Sequence, residues 1–513
     1  SLAVIEASIV KNNLNRVVIG GCSPRTHETK FQDLMRRAGL NKYLVEIVNL
    51  RDQNTWAHMG QPEAALAKAF KLIGIGISGV RKSRSLVDQT LPMSQNALVV
   101  GGGVTGMTAA LQLADQGIKV YLLERNAALG GLAMSIRRTI EGDDVGSFMK
   151  SLIENVSAHK NIQVLARSVI VDHSGMPGRF KTGVHTGLRM NYMQLNHGVS
   201  IFATGALANR PDVYGLGSHE NIMTQLDLDA KIEDDPEKIK ALNTVVMIQC
   251  AGSREADNPN CSRICCQAAI KNALRMKAIH PDIQIFILYR DIRTYGFYED
   301  YYREARNLDV KFIRFSLDNK PDVLLEDDQV SVFVDDEIIG RRIQIETDCL
   351  ALSTGMIADD EITEDMSMMF HLPRTVDHFF LEDHVKLRPV DTSVRGIFIA
   401  GTTHSPKTIK ESITQAYAVA GRAQTLLAKK EINLGAAVAK VDGSKCAACL
   451  ICVRACPFSI PFINEEGYSQ IDPAKCQGCG ICAADCPAKA IQLLVYEDDQ
   501  ILARLDGLFG GLN

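Results

Sequence analysis

The chain has 513 residues, 46% of them hydrophobic, enough apolar material for three or four domains with sizeable cores. Its formal charge of −4 is near neutral for that length and gives no reason to expect nucleic acid or a membrane surface as partner. No apolar stretch approaches the ~20 residues that span a bilayer, and no signal-peptide pattern opens the chain.

After Ser1, "AVIEASIVKNN" begins as an amphipathic helix with nothing ahead to start a fold. The chain is therefore expected to be a fragment without its natural N-terminus, or else to have lost only an initiator methionine. Residues 1–92 read as a small α/β domain, taken to be truncated. "RVVIGGCSP" is a strand running into a turn, and "THETKFQDLMRRAGL" a helix ending at Gly39. "KYLVEIVNL" is a second strand and "PEAALAKAFKLIGIGISGV" a second helix. "PMSQ" reads as a linker. A βαβ unit follows at "NALVVGGGVTGMTAALQLADQGIKVYLLER". "SIFATGA", "DCLALSTGM" and "GIFIAGTTH" are strands that end in tight turns. A second nucleotide-type unit begins near residue 242 with the strands "TVVMI" and "IQIFILY". After Gly435 the chain changes abruptly to cysteine and proline punctuation.

In the first βαβ unit the fingerprint is Gly101-x-Gly103-x-x-Gly106, between a strand and a helix. The glycines allow a tight turn, close approach of backbone to pyrophosphate and close helix–strand packing. The helix N-terminus supplies unpaired N–H groups to the phosphates. Glu124, ending the next strand, stands at the right distance for a ribose hydroxyl. The ligand is NAD or FAD. "FATGA" and "GIFIAGTTH" favour FAD, because they resemble short motifs of two-dinucleotide-fold flavoproteins such as thioredoxin reductase. In that family an aspartate often follows the glycine of the second motif; here Thr402 follows Gly401. Gly131, Gly205 and Gly401 complete the candidate cofactor-binding glycines. The helix "TIKESITQAYAVAGRA" is expected to aim its N-terminus at the flavin. Lys407, just before it, is either a catalytic group beside the flavin ring, stabilising negative charge there, or a solvated lysine.

The 14 cysteines are grouped. Eight lie between Cys446 and Cys486, four between Cys250 and Cys266, and only Cys22 and Cys349 stand alone. A secreted disulfide framework would scatter them, so the grouping points to a reducing, anoxic cytoplasm. The second unit should carry a phosphate loop, yet it reads "CAGSREADNPNCSRICC". Only Gly252 remains of a glycine pattern, so pyridine nucleotide binding is not expected there. The spacing Cys-x10-Cys-x3-Cys-Cys is neither a redox Cys-x-x-Cys nor a pair of zinc knuckles. An iron–sulfur cluster accepts four thiolates, and inert buried thiols are the plainer alternative.

A more specific resemblance then emerges. "MIQCAGSR", "CSRICCQAA", "GGCSPRTHETKF", "AGLNKYLVEIVNLRDQNTWAH", "GGLAMSIRRTIEGDDV" and "LEDHVKLRPVDTSVRGIFIAGTTHSPKTI" all resemble the A subunit of heterodisulfide reductase, over nearly the whole chain. The resemblance implies a [4Fe–4S] cluster with unconventional spacing on Cys250, Cys261, Cys265 and Cys266, and FAD in the preceding fold. It departs from the family at the N-terminal cluster: Asn54 stands where a cysteine is usual, and Cys22 alone cannot hold a cluster. The ferredoxin insert of many relatives is absent, since no cysteine lies between 22 and 250. Cys349 reads as a buried small residue.

"CAACLICVRACP" and "CQGCGICAADCP" are two copies of Cys-x2-Cys-x2-Cys-x3-Cys-Pro, in which the fourth cysteine serves the other cluster. One [4Fe–4S] cluster is expected on Cys446, Cys449, Cys452 and Cys486, the other on Cys476, Cys479, Cys482 and Cys456. A hairpin is expected between the copies, at "INEEGYSQIDP".

The expected architecture is α/β: a two-dinucleotide-binding-domain, thioredoxin-reductase-like flavoprotein. Residues 93–215 and 345–434 form the FAD-binding domain, and 216–344 a degenerate NAD(P)H-like domain carrying the unconventional cluster. Residues 435–513 form a two-cluster ferredoxin domain. The resemblance implies a flavin-based electron-bifurcating subunit of a heterodisulfide reductase-type complex. It implies B- and C-type subunits, a donor module (hydrogenase, formate dehydrogenase or other) and ferredoxin as partners, and a dimer of this chain. The alternative is a non-bifurcating electron-transfer adaptor with the same centres.

Overall fold

The computed structural model describes residues 2–473 and 475–510; Ser1, on which the fragment expectation turned, lies outside them, as do Ala474 and residues 511–513. The chain divides into two units, Met93–Lys430 and Ser1–Pro92 with Glu431–Asn513.

The Met93–Lys430 unit holds two parallel five-stranded sheets of matching order. In the first, Ile397–Ile399, Val199–Phe202, Ala97–Val100, Val120–Leu123 and Ile162–Leu165 lie side by side. In the second the order is Ile222–Thr224, Cys349–Leu352, Thr244–Ile248, Gln284–Tyr289 and Lys311–Arg314. "ALVV", "VSIF" and "TVVMI" are apolar without alternation because parallel strands are covered on both faces. Within Thr244–Ile248, Val245 and Met247 pack with the helices Gln225–Asp234 and Cys265–Ile279. Val246 and Ile248 pack against Val330 and Val332 of an antiparallel three-stranded meander, Asp322–Thr347. A similar meander, Ser168–His197, accompanies the first sheet. The expected pair of dinucleotide-type sheets is thus present. In each, neighbouring strands leave the central strand in opposite directions, which opens a crevice at its carboxyl end.

In the other unit Val17–Gly21 and Val45–Asn49 pair in parallel between the helices Pro24–Arg37 and Pro62–Lys82. The cysteine-rich segment is pinned by Ala439–Val441 against Ile491–Leu493. The expected hairpin is Phe462–Ile463 against Ser469–Gln470. A terminal helix, Asp498–Phe509, packs on Pro62–Lys82, and its Arg504 pairs with Glu46 at 2.8 Å. The "PMSQ" linker begins later than expected: Pro92 ends a strand, Gln89–Pro92, paired with Glu431–Gly435. No local signal marks this strand, because its partner lies far along the sequence. Among the described residues no helix is long and apolar enough to cross a membrane.

Candidate functional site

A cavity of about 600 Å³ opens at the carboxyl end of the first sheet, within the size range of ligand sites. Gly101, Gly103, Glu124, Gly131 and Gly205 line it. Gly106 and Gly401 do not; they let backbone and helix close together behind it. A Cβ on Gly106 would stand 1.9 Å from the Gly101 carbonyl oxygen. Gly103 is the opposite case: a Cβ there would meet nothing within 4 Å. It caps the Val104–Asp115 helix, and no side chain caps the first N–H groups. An open cradle at a helix N-terminus fits a pyrophosphate. Glu124 is buried; its Oε2 accepts from the Gly102 N–H at 2.8 Å and its Oε1 from Asn126 at 2.7 Å. Both oxygens keep a lone pair for a ribose hydroxyl.

Lys407 also lines the cavity and is 7% exposed, so it is not a solvated lysine. Its Nζ donates to the carbonyls of Gly401 and Ser405, each at 2.7 Å. Burial, reinforced by the Arg263 guanidinium, lowers its pKa to about 8. Thr408, Ile409 and Lys410 bring the N-terminus of the Ile409–Leu427 helix to the cavity. A capping box between Thr408 and Glu411 already occupies part of that end.

The four-thiol loop, 249–264, leaves the central strand of the second sheet and enters the Cys265–Ile279 helix. Cys250 is left-handed, with φ +58°. Cys265 lines the same cavity as Gly103 and Lys407. Burial and the charges of Cys266, Cys250 and Cys261 push the Cys265 thiol up, so the four groups lie within mutual electrostatic reach. Burial also pushes Cys266 up to about 11. Thiols this costly to ionise alone suit a site where a polycation replaces their protons. Next to them the Gln249 amide and the Ser353 hydroxyl are buried without a hydrogen-bond partner among the described residues. Orphaned polar groups here fit a site that takes a polar occupant.

In the cysteine-rich segment Cys446, Cys449, Cys452 and Cys486 line one small cavity. Cys482 is pushed up to about 11 by burial and by its neighbours Cys476, Cys479 and Cys456. Backbone N–H groups already aim at three sulfurs: Ser469 to Cys446 and Ala490 to Cys486 at 3.3 Å, and Ala439 to Cys476 at 3.4 Å. Among the described residues no three His, Cys, Asp or Glu side chains converge tightly enough to hold one metal ion. Cys349 is fully buried in a core strand. Cys22 has the Arg51 guanidinium 3.6 Å from its sulfur, and Asn54 is buried in a π-helical turn, Arg51–Thr55, donating to Ala65 O.

Sequence reasoning missed the groups that fasten the thiol helix. Asp229, 1% exposed, accepts from Lys271 at 2.8 Å and Arg275 at 2.7 Å, both on that helix. It also accepts from the Arg137 N–H at 2.8 Å, while Lys271 reaches the Arg138 carbonyl at 3.1 Å. This buried network ties the thiol helix to the "SIRR" segment. Its only trace in the sequence is two basic residues four apart on an otherwise buried helix.

Two family descriptions match parts of the chain: an NAD(P)-binding Rossmann-like domain over residues 99–153 and a 4Fe-4S dicluster domain over 439–487. The iron–sulfur A subunit of the CoB–CoM heterodisulfide reductase of Methanocaldococcus jannaschii is 31% identical, over 98% of this chain and 91% of that protein. A Methanopyrus kandleri counterpart is 30% identical, over 98% and 90%. The A subunit of the ferredoxin:CoB–CoM heterodisulfide reductase of Methanosarcina mazei is 33% identical, over 98% and 74%. Among solved structures, Lactococcus lactis thioredoxin reductase aligns with a TM-score of 0.46 at 16% identity, over 65% of this chain and 99% of that one.

Proposed function

This chain belongs to the family of heterodisulfide reductase iron–sulfur A subunits and is part of an oxidoreductase, and from that footing we propose that it is the electron-bifurcating flavoprotein of such a complex. It exchanges electrons among a donor module such as a hydrogenase or formate dehydrogenase, a disulfide-reducing module of B- and C-type subunits, and ferredoxin. It works as a dimer in a reducing cytoplasm. One observation carries the reading: Cys265, at the start of the thiol helix, lines the cavity that Gly103 and Lys407 also line.

When bound, FAD supplies exchange between two-electron and one-electron chemistry, and [4Fe–4S] clusters supply single-electron carriers. Gly101, Gly103 and the helix behind them take the pyrophosphate, and Glu124 orients the ribose. Lys407 presents a buried ammonium, protonated near neutrality at a pKa of about 8, to negative charge in the cavity. Cys250, Cys261, Cys265 and Cys266 hold one cluster at the cavity wall. Cys446, Cys449, Cys452 and Cys486 hold a second; Cys476, Cys479, Cys482 and Cys456 hold a third.

A second reading has a specific support. The M. mazei relative is named for ferredoxin and the heterodisulfide without a third couple, which favours a non-bifurcating adaptor. An anaerobic titration separates the two. Bifurcation requires the flavin's second electron to leave at a much lower potential than its first. A flavin whose two one-electron potentials run in the ordinary order selects the adaptor. In Cys265→Ser, flavin content is expected to persist while one cluster of three is lost; unchanged iron and unaltered flavin reduction would remove the relay role.

A further inference from the structure

We propose that Arg254 sets the reduction potential of the four-thiol centre, with Asp291 as its counterweight. The inference rests on the reading that Cys250, Cys261, Cys265 and Cys266 hold an iron–sulfur cluster, and it concerns residues outside that ligand set.

The Arg254 Nη1 lies 3.8 Å from the Cys250 sulfur. The same guanidinium is gripped by both oxygens of Asp291, at 2.8 and 2.9 Å. A two-pronged grip of this kind fixes a guanidinium in plane as well as in place. The backbone beneath is fixed too. Arg254 is left-handed at φ +58°, and Arg290 donates to the carbonyls of Ser253 at 2.5 Å and Arg254 at 2.8 Å. Asp291 also accepts from the Arg293 Nε at 3.2 Å, and Arg293 feels the charge of Cys261. The Asp291 backbone oxygen lies 3.9 Å from the Cys266 sulfur.

Arg254, Arg290 and Arg293 set three guanidinium groups against the one carboxylate of Asp291, so positive charge is in excess beside the thiols. Taking up one electron makes a thiolate-bound cluster one unit more negative, with no bond made or broken. A fixed positive charge and an N–H aimed at a ligand sulfur both favour that reduced state. Removing Arg254 lowers the potential; neutralising Asp291 uncovers the charge of its two partners, Arg254 and Arg293, and raises it. Opposite signs from two partners in one ion pair are the signature of electrostatic tuning. Loosened packing would move both variants the same way.

The test is an anaerobic titration of the full chain with a low-potential chemical reductant that donates one electron per centre, followed by electron paramagnetic resonance. The two ferredoxin centres of the same chain serve as internal reference. In Arg254→Met the reduction equilibrium of the third centre is expected to fall about tenfold, ~59 mV for one electron. In Asp291→Asn it is expected to rise by a similar factor. Arg254→Lys, which keeps charge but loses the fork, is expected between wild type and Arg254→Met. An intact centre at an unmoved potential in Arg254→Met overturns the proposal, as does a shift of the same sign in Asp291→Asn. Should Arg254→Met fail to assemble, unmoved potentials in both Arg254→Lys and Asp291→Asn overturn it. Wild-type iron short of three four-iron clusters overturns the underlying assignment instead, before any variant is titrated.

Discussion

Two strand–loop–helix junctions in the Met93–Lys430 unit share one topology and differ in one respect. After Ala97–Val100 the chain turns through Gly101–Gly103 into a helix whose first N–H groups take no side-chain cap. After Thr244–Ile248 it runs through 249–264 and starts a helix on Cys265 and Cys266. The first loop prepares a site by withholding side chains, the second by supplying them. Both begin in left-handed backbone, at Gly101 with φ +110° and Cys250 with φ +58°. At Gly101 a Cβ would fall 2.2 Å from the Ala203 carbonyl oxygen, so no side chain is possible. At Cys250 a side chain is tolerated at a cost of about 1–2 kcal/mol. On the function proposed above, each helix N-terminus would face anionic chemistry, phosphate in one case and thiolates in the other. One scaffold can therefore exchange ligand class while its strands and helices stay in place.

The sharpest way to break this comparison is inside the glycine loop. Gly106→Val drives a side chain into the Gly101 carbonyl and is expected to cost ~3 kcal/mol or more in urea unfolding, with FAD lost. Gly103→Ala meets no protein atom within 4 Å, so unfolding should move by less than ~0.5 kcal/mol. FAD affinity, measured by fluorescence titration, should still fall about tenfold or more, because the space is reserved for ligand. Equal affinity in Gly103→Ala would mean that the two loops do not differ as described.

A second probe cuts the network that fastens the thiol helix to residues 136–139. Asp229→Asn leaves the Lys271 charge buried with a weaker partner, and Arg275 with it. A loss of about 3 kcal/mol is expected, read by urea unfolding, with faster amide exchange in both the thiol helix and residues 136–139. Exchange rising in only one of them would show that the network does not couple these two segments.

The smallest effect is a pH dependence. Burial lowers Lys407 to about 8, below its ordinary ~10.4. Between these values the unfolded chain binds the extra proton, so stability rises as pH climbs from about 8 to 10, by roughly 2 kcal/mol. Below pH 8 the group contributes no slope. Lys407→Met should flatten the 8–10 window in unfolding curves taken across it; a slope that survives would assign it to another group.

Much of both junctions was legible residue by residue. Gly101 and Gly106 could be read because close backbone demands glycine there, Gly103 and Glu124 by their spacing, and the thiol-filled second loop by its lost glycine pattern. The doubled cysteine motif carries its crossed pairing in the spacing itself, and Cys446, Cys449, Cys452 and Cys486 do share one cavity. Lys407 was ambiguous because a lysine's burial is not written in its neighbours. The Gln89–Pro92 pairing with Glu431–Gly435, and the Asp229 network, left no local mark, since their partners lie tens to hundreds of residues away.

The amino-acid sequence by itself determined the chemistry on offer: which loop lacks side chains, which loops carry thiols, and at what spacing. These are local properties of backbone freedom and ligand type. Only the tertiary structure decided that Cys265 lines the cavity at the glycine loop, that Asp291 grips Arg254 beside Cys250, and that a buried carboxylate fastens the thiol helix. Those are long-range juxtapositions, set when apolar faces of distant segments pack and carry their polar residues with them.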